Sequence, residues 1–166
     1  LTVAEVVALG RHPYTGFFGK ITKEDNEIIS MALSLVGMEQ KSKKYLSQLS
    51  DGERQKVMIA KALAQQTPLV VLDEPTAFLD LPSRVEILYL LRRLADEQGK
   101  AILLSTHDIE QSLSVADKLL LFGNSDKVEF MPTQDAIENG AIDNLFVSRG
   151  IEFNKQTGRF LPKKML

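Results

Sequence analysis

The first part of the chain places its apolar residues with a helical period. Apolar side chains recur at three- and four-residue spacing within residues 2–10 and again in two longer stretches. The first of these stretches opens on Thr22-x-x-Asp25 and the second on Ser50-x-x-Glu53, and both are capping patterns that begin a helix. The pattern therefore predicts three helices before residue 66.

From residue 69 the period changes, and unbroken apolar runs alternate with helical stretches. Leu69–Leu72, residues 101–105 and Lys118–Phe122 are predicted strands, and the first two read as buried on both faces. A helix that begins at Asp80 and ends near Gly99 separates the first two strands. The order strand, helix, strand, helix, strand predicts a parallel α/β sheet with right-handed crossovers.

Composition and charge narrow the possible functions. Hydrophobic residues make up 44% and charged residues 25% of 166 residues, which is ordinary for a globular protein. A net charge of −2 gives no general attraction to nucleic acid, so we predict no nucleic-acid partner. The sequence has no cysteine, which excludes a disulfide framework and cysteine-bound metal.

Polar residues follow the first two predicted strands, where ligands of a parallel sheet gather. Asp73 and Glu74 come directly after the first strand, and His107 follows the second. Asp73 would hold Mg²⁺, directly or through water, and Glu74 would polarise an attacking water. His107 would contact the γ-phosphate of a nucleotide and sense its presence.

Each of these signals also has a purely structural explanation. Acidic residues after a strand often cap the next helix, and a single histidine in a loop is often only a hydrogen-bonded loop residue. The Ser50-x-x-Glu53 pattern is a common helix cap. The order and spacing of all three favour the functional interpretation, because an ordinary fold gives no reason to collect them on one edge.

Four stretches resemble motifs of ATP-binding cassette (ABC) ATPases and are jointly highly specific, and the resemblance as a whole covers roughly residues 1–122. The signature motif has Gly where this chain has Asp51 and Gln where it has Glu53, but this variant is familiar in the family. The four stretches are Leu49-Ser50-Asp51-Gly52-Glu53-Arg54-Gln55 for the signature motif, residues 69–74 for the Walker B strand, Ala77-Phe78-Leu79-Asp80 for the D-loop, and Ser105-Thr106-His107-Asp108 for the switch histidine.

The resemblance implies an α/β fold with a partial P-loop NTPase-like parallel sheet and an ABC α-helical subdomain. Residues 1–66 would form that subdomain with the signature motif, residues 67–122 the catalytic half, and residues 123–166 a C-terminal packing segment. Glu74 and His107 would act on this chain's own ATP, and Asp80 would lie across an interface between two cassettes. The signature residues would reach ATP bound on the partner cassette: Leu49, Ser50, Asp51, Gly52 and Glu53.

The start of the chain is similar to the helical subdomain of bacterial importers of iron–siderophore, haem and vitamin B12 complexes. In those proteins an aliphatic helix ends in Gly-Arg-x-Pro and an aromatic loop, as it does here at Gly10-Arg11-His12-Pro13. The subdomain docks on a membrane permease there, so Tyr14, Phe17 and Phe18 are candidate contacts. Alternatively, Phe17 and Phe18 only cover a small helical core. The resemblance also implies a homodimer of cassettes at the cytoplasmic side of the bacterial inner membrane, served indirectly by a periplasmic or surface substrate-binding protein.

One motif of such an ATPase is missing from the sequence. No G-x-x-x-x-G-K-[ST] loop occurs, and the closest string, Gly19-Lys20-Ile21, has Tyr14 in place of the first glycine. The chain also opens without an initiator methionine, on a helix-like stretch. We therefore expect a longer natural protein, and we expect the 166-residue chain alone to lack useful ATP affinity and activity.

Two other functions stay open at this point. A non-transport ABC ATPase of the DNA-repair or translation-factor kind would carry coiled-coil insertions or tandem cassettes, which the sequence does not contain. A non-catalytic module that docks on a permease or partner cassette would have no need to retain Glu74 and His107.

Overall fold

The computed structural model describes residues 1–16, 19–122, 128–145 and 150–163. The predicted permease contacts Phe17 and Phe18 lie outside the described residues. The chain forms two compact units, Leu1–His107 and Asp108–Leu166. The three functional segments expected from the sequence divide the chain by role, and they stay a prediction.

Three helices open the first unit, and each begins at a capping box. Thr2, Thr22 and Ser50 each accept a hydrogen bond from the backbone N–H three residues later, which confirms the two caps predicted from the sequence. The helices are α1 (Val3–Ala8), α2 (Lys23–Leu35) and α3 (Asp51–Ala64), with short 3₁₀ turns at Leu9–Tyr14, Glu39–Lys41 and Leu46–Gln48.

The apolar faces of these helices share one core. On α1 and α3 its most deeply buried members are Val3, Val7, Val57, Ile59, Ala60 and Ala64, all with 0% exposure. Gly10 lets the chain after α1 run against α3, because a Cβ atom at Gly10 would lie 2.3 Å from the carbonyl oxygen of Lys61. The core therefore depends on a close backbone approach as well as on apolar burial.

The buried side chain of Arg11 links the 3₁₀ turn after α1 to α2 and α3 by hydrogen bonds. Arg11 Nε donates to Asp25 Oδ1 of α2 at 2.8 Å, and Nη1 donates to the Ala64 carbonyl at the end of α3 at 2.8 Å. Its guanidinium carbon lies 4.1 Å from the centre of the Tyr14 ring. Arg11 thus satisfies buried acceptors that would otherwise be costly to leave unpaired.

Two parallel strands and a long helix complete the first unit. They are β1 (Leu69–Leu72), α4 (Leu81–Gln98) and β2 (Ala101–Leu104), with Leu69 opposite Ala101 and Leu72 opposite Leu104. The predicted helix ends are confirmed, since Asp80 caps α4 and Gly99 closes it with a φ of 60°.

The prediction that β1 and β2 are buried on both faces is wrong. Val70 is 4% exposed and faces the helical core, whereas Leu69 is 47%, Val71 64% and Leu103 46% exposed. Side chains alternate between the faces of a strand, and within the described residues of this unit no element covers the second face. Within the described residues, the continuous apolar run thus belongs to a strand that has one face on the core and its other apolar face exposed.

The second unit contains the remaining elements and its own small core. They are α5 (Ile109–Leu113), β3 (Lys118–Phe122), β4 (Val128–Pro132), α6 (Thr133–Glu138), α7 (Ala141–Asn144), β5 (Ile151–Asn154) and β6 (Arg159–Pro162). Their shared core is built around Ala136, Ile142 and Phe153. No helix in the described part of the chain has the length and apolarity to cross a bilayer.

The predicted third strand exists, but its predicted place in a parallel sheet is wrong. Residues of β3 pair antiparallel with β4, and Leu120 lies opposite Phe130. Antiparallel strands need only a short connection, whereas a parallel neighbour requires a longer crossover. Leu119 and Leu121 pack against the core of the second unit, so β3 has its apolar partners there.

Candidate functional site

The end of β1 carries the two predicted acids. Asp73 directly follows the strand, and Glu74 adopts a left-handed backbone conformation with a φ of 47°. This conformation is uncommon for any residue other than glycine, because the Cβ atom crowds the backbone. Such residues concentrate at functional sites, where the surroundings hold them in place.

The end of β2 brings the predicted histidine to the second of these acids. His107 Nδ1 lies 2.7 Å from Glu74 Oε2. The imidazole is 77% exposed and the glutamate side chain 38% exposed, so the pair is open to solvent and to a ligand. The expectation that Glu74 and His107 converge at one sheet edge is confirmed, and their catalytic roles stay a proposal.

Ser105, for which the motifs suggested no separate role, connects Asp73 and Glu74. Ser105 Oγ donates to Asp73 Oδ1 at 2.5 Å and accepts a hydrogen bond from the backbone N–H of Glu74 at 3.0 Å. The parallel register places Ser105 next to Asp73, since Leu72 is opposite Leu104. Knowledge of the register would have singled out this serine, but the sequence alone does not specify it.

The predicted signature turn forms the start of α3. Ser50 Oγ accepts from the backbone N–H of Glu53 at 3.3 Å, and Glu53 Oε2 accepts from the backbone N–H of Ser50 at 3.2 Å. Lys41 forms an ion pair with Glu53, and this hydrogen bond is the main cause of the lowered pKa of Glu53. Asp51 pairs with Arg54 at 3.0 Å. The turn therefore has its backbone fixed and its two acids neutralised.

Leu49 and Gly52 of the signature motif both pack against other parts of the first unit. Leu49 is 4% exposed and belongs to the apolar core, so its side chain is not available to a phosphate. Gly52 lies against α4, since a Cβ atom there would meet Ser83 Oγ at 3.2 Å. A side chain at Gly52 would therefore press on the neighbouring helix.

The predicted D-loop lies next to the signature turn. Asp80 Oδ1 accepts from the backbone N–H of Ser83 at 3.0 Å, and hydrogen bonds from Ser83 lower the pKa of Asp80. Ser83 is the residue that Gly52 approaches. Phe78 in the same loop is 98% exposed and has a φ of 63°. The two motifs that were expected at a cassette interface are thus neighbours in one unit.

Tyr14 is the one predicted permease contact within the described residues. It is 54% exposed, so part of the ring is available to a partner. Its hydroxyl donates to the Gln65 carbonyl at 2.6 Å, and its ring packs on Arg11. Tyr14 therefore has a structural role in addition to any surface role.

Among the described residues, few side chains near Asp73 could serve as ligands of a metal ion. Within the described residues no group of three or more histidines and acids is arranged to hold a metal ion. Mg²⁺ is usually held by one or two carboxylates together with substrate phosphates and waters. A single carboxylate at a strand end, with its orientation set by Ser105, fits Mg²⁺ that arrives with a nucleotide.

Comparison with known proteins identifies close relatives. Residues 1–77 match the ABC transporter family model. The chain is 40% identical over 160 residues to an uncharacterised ABC transporter ATP-binding protein of Methanocaldococcus jannaschii, covering 96% of this chain and 55% of the relative. It is 48% identical over 112 residues to the iron(3+)-hydroxamate import ATP-binding protein FhuC of Bacillus subtilis, covering 68% and 42%. The chain thus spans about half the length of these relatives.

A solved structure agrees with this relationship. The inward-facing conformation of an ABC transporter described as of the metal-chelate type matches with a TM-score of 0.82 and 31% identity. The match covers 89% of this chain and 58% of the other. The predicted α/β, P-loop NTPase-like fold class is confirmed.

Proposed function

We propose that this chain, which belongs to the family of ABC transporter ATP-binding proteins, carries the signature and Walker B half of an ATP-hydrolysing importer subunit. The observation that carries the proposal is the 2.7 Å contact between Glu74 and His107 at the end of the parallel strands. The phosphate-binding loop would come from residues upstream of Leu1. The span of about half of each relative supports this part of the proposal.

In this mechanism Glu74 and His107 would act together on the γ-phosphate. The imidazole Nδ1 donates to Glu74 Oε2, which leaves the other carboxylate oxygen to accept a hydrogen bond from the attacking water. Nε2 lies on the far side of the ring and donates to a phosphate oxygen when the imidazole is charged. Water attacks the γ-phosphorus and the bond to the β-phosphate oxygen breaks, which releases ADP, phosphate and a proton.

Asp73 would hold Mg²⁺, which supplies positive charge beside the phosphates when it is bound. The hydroxyl of Ser105 keeps one oxygen of Asp73 occupied and fixes the orientation of the carboxylate. Asp73 therefore presents its charge to the nucleotide in one defined direction.

The signature turn would act on ATP held by a second cassette. Ser50 uses its oxygen to accept the helix-cap hydrogen bond, so its hydroxyl proton is left to donate to a phosphate. The backbone N–H of Gly52 and the start of the 14-residue helix α3 add favourable charge for an anion. Asp80 and the exposed Phe78 would lie at the same dimer interface.

The transported cargo would be an iron–siderophore, haem or cobalamin-type complex. The support is the helical region around Gly10-Arg11-His12-Pro13 and the name of the iron-hydroxamate importing relative. A homodimer of cassettes would bind an integral membrane permease on the cytoplasmic side of a bacterial inner membrane, with Tyr14 near the contact. A substrate-binding protein would deliver the cargo to the permease without touching this chain.

Glu74→Gln in the longer protein tests this proposal. The variant keeps the size of the side chain but removes the charged acceptor, so hydrolysis should fall at least a hundredfold while ATP binding persists. The variant should then accumulate as an ATP-bound dimer in size-exclusion chromatography with light scattering. Glu129→Gln is the matched control, since Glu129 is an exposed glutamate of β4. Equal hydrolysis rates in both variants would reject Glu74 as the residue that activates the water, and a longer protein that hydrolyses no ATP would reject the proposed ATPase.

A further inference from the structure

One hydroxyl group joins both acids of the candidate site. We infer that Ser105 is a positioning residue of this site, which sets the carboxylate of Asp73 and the backbone of Glu74 at the same time. The inference rests on the proposed ATPase function and adds a residue to it. It follows from the register of two strands and from two hydrogen bonds.

The register explains why a side chain at this position reaches both acids. Leu72 is the last residue of β1 and pairs with Leu104, the last residue of β2. The backbone N–H of Ser105 then donates to the Leu72 carbonyl at 3.0 Å, so the ladder continues for one more bond. Ser105 is thereby fixed beside the peptide that links Asp73 and Glu74.

The two hydrogen bonds use both capacities of a hydroxyl. Ser105 Oγ donates its proton to Asp73 Oδ1 at 2.5 Å and accepts the Glu74 N–H at 3.0 Å. A hydroxyl has one proton to give and lone pairs to accept with, so one atom meets both demands. An aliphatic side chain at this position meets neither.

The accepted hydrogen bond bears on catalysis because of the conformation of Glu74. Its φ of 47° is disfavoured for a residue with a Cβ atom, so it needs support from its neighbours. Ser105 holds the backbone end of Glu74, and His107 contacts the carboxylate end at 2.7 Å. Loss of the backbone support would let the carboxylate leave the orientation in which the proposed mechanism uses it.

Threonine and valine at position 105 form a matched pair for the test. They have nearly the same shape, but only threonine has the hydroxyl, and Ser105 is exposed enough to accept a larger side chain. In the longer ATPase we expect Ser105→Val to lower kcat about tenfold or more. The KM for ATP should stay within about twofold, because a positioning residue does not bind the phosphates. Ser105→Thr should keep most of the wild-type kcat.

A second readout does not depend on activity. Amide hydrogen exchange at Glu74 should be about tenfold faster in Ser105→Val than in Ser105→Thr, because the N–H loses its acceptor. The imidazole resonance of His107 should move in Ser105→Val, whereas that of His12, the other histidine of the sequence, should not.

The outcomes separate this inference from the function on which it rests. Equal kcat and equal Glu74 exchange in the threonine and valine variants of an active enzyme would overturn the role of Ser105 and leave the ATPase intact. A wild-type protein that hydrolyses no ATP would overturn the proposed function and the catalytic part of this inference. Unequal exchange would still establish that the hydroxyl supports Glu74.

Discussion

The close approach at Gly10 gives a stability prediction that can be worked out from the structure. The chain after α1 passes α3 so closely that a Cβ atom at Gly10 would lie 2.3 Å from the Lys61 carbonyl oxygen and 3.2 Å from Ala64 Cβ. The first contact is with backbone, so no side chain can rotate away to relieve it. Gly10→Ala therefore forces the two segments apart.

The size of the effect follows from the distance. A Cβ atom needs roughly 3.0 Å from an oxygen, so the backbones must separate by about 0.7 Å, and the surrounding core is fully packed. Overpacking of this kind costs about 1–3 kcal/mol. Alanine also restricts the unfolded chain, which is worth about 0.4–1 kcal/mol in the opposite direction. We expect a net loss on the order of 1–2 kcal/mol in the free energy of unfolding.

Urea denaturation followed by circular dichroism measures this loss as a lower midpoint at an unchanged slope. Gly52→Ala is the comparison variant, because its Cβ would meet the side chain of Ser83 at 3.2 Å, and that side chain can move. We expect a smaller loss there. A midpoint for Gly10→Ala at or above that of the wild type would refute the close approach of α3 and the turn that follows α1.

Three further predictions concern charge and nucleotide binding. The pKa of Asp25 is lowered to about 2, first by the backbone N–H of Thr22 and then by Arg11, so its stabilisation is full above about pH 4 and is lost as the pH falls through about 2. Asparagine does not titrate, so the melting temperature of the Asp25→Asn variant should depend less on pH than that of the wild type between about pH 4 and 2. Lys41→Gln leaves Glu53 unneutralised at the signature turn, so ATPase activity of the longer protein should fall, whereas a second change, Glu53→Gln, should restore it. Lys43→Gln, at an exposed lysine, should have no effect. Isothermal titration of the 166-residue chain alone should give no micromolar ATP binding, and a clear micromolar isotherm would contradict the expected need for an upstream loop.

The sequence was sufficient for features that depend on neighbouring residues. The structure confirms the predicted helix ends at Thr22, Ser50, Asp80 and Gly99. Each of these signals acts within three or four residues, so the local sequence is enough to recognise it. The convergence of Glu74 and His107 was also predictable, since the carboxyl ends of parallel strands meet at one edge.

Features that depend on a distant partner could not be read from the sequence. An apolar run such as Leu69–Leu72 does not reveal whether both of its faces are covered, and Val71 is in fact exposed. The partner of β3 is set by the nearby β4 and not by the order of elements. The ion pairs of Arg11 with Asp25 and of Lys41 with Glu53 join residues brought together only by packing.

The geometry around Glu74 connects these observations to the proposed catalysis. A left-handed glutamate is unfavourable by itself, and here its backbone and its carboxylate are held by two residues of the neighbouring strand end, Ser105 and His107. In the proposed mechanism, a side chain restrained at both ends would lose little further freedom when a water and a phosphate are aligned, which would lower the entropic part of the barrier. If the strained backbone of Glu74 serves to orient its carboxylate, as the proposed mechanism requires, relief of that strain should reduce kcat before it changes ATP affinity.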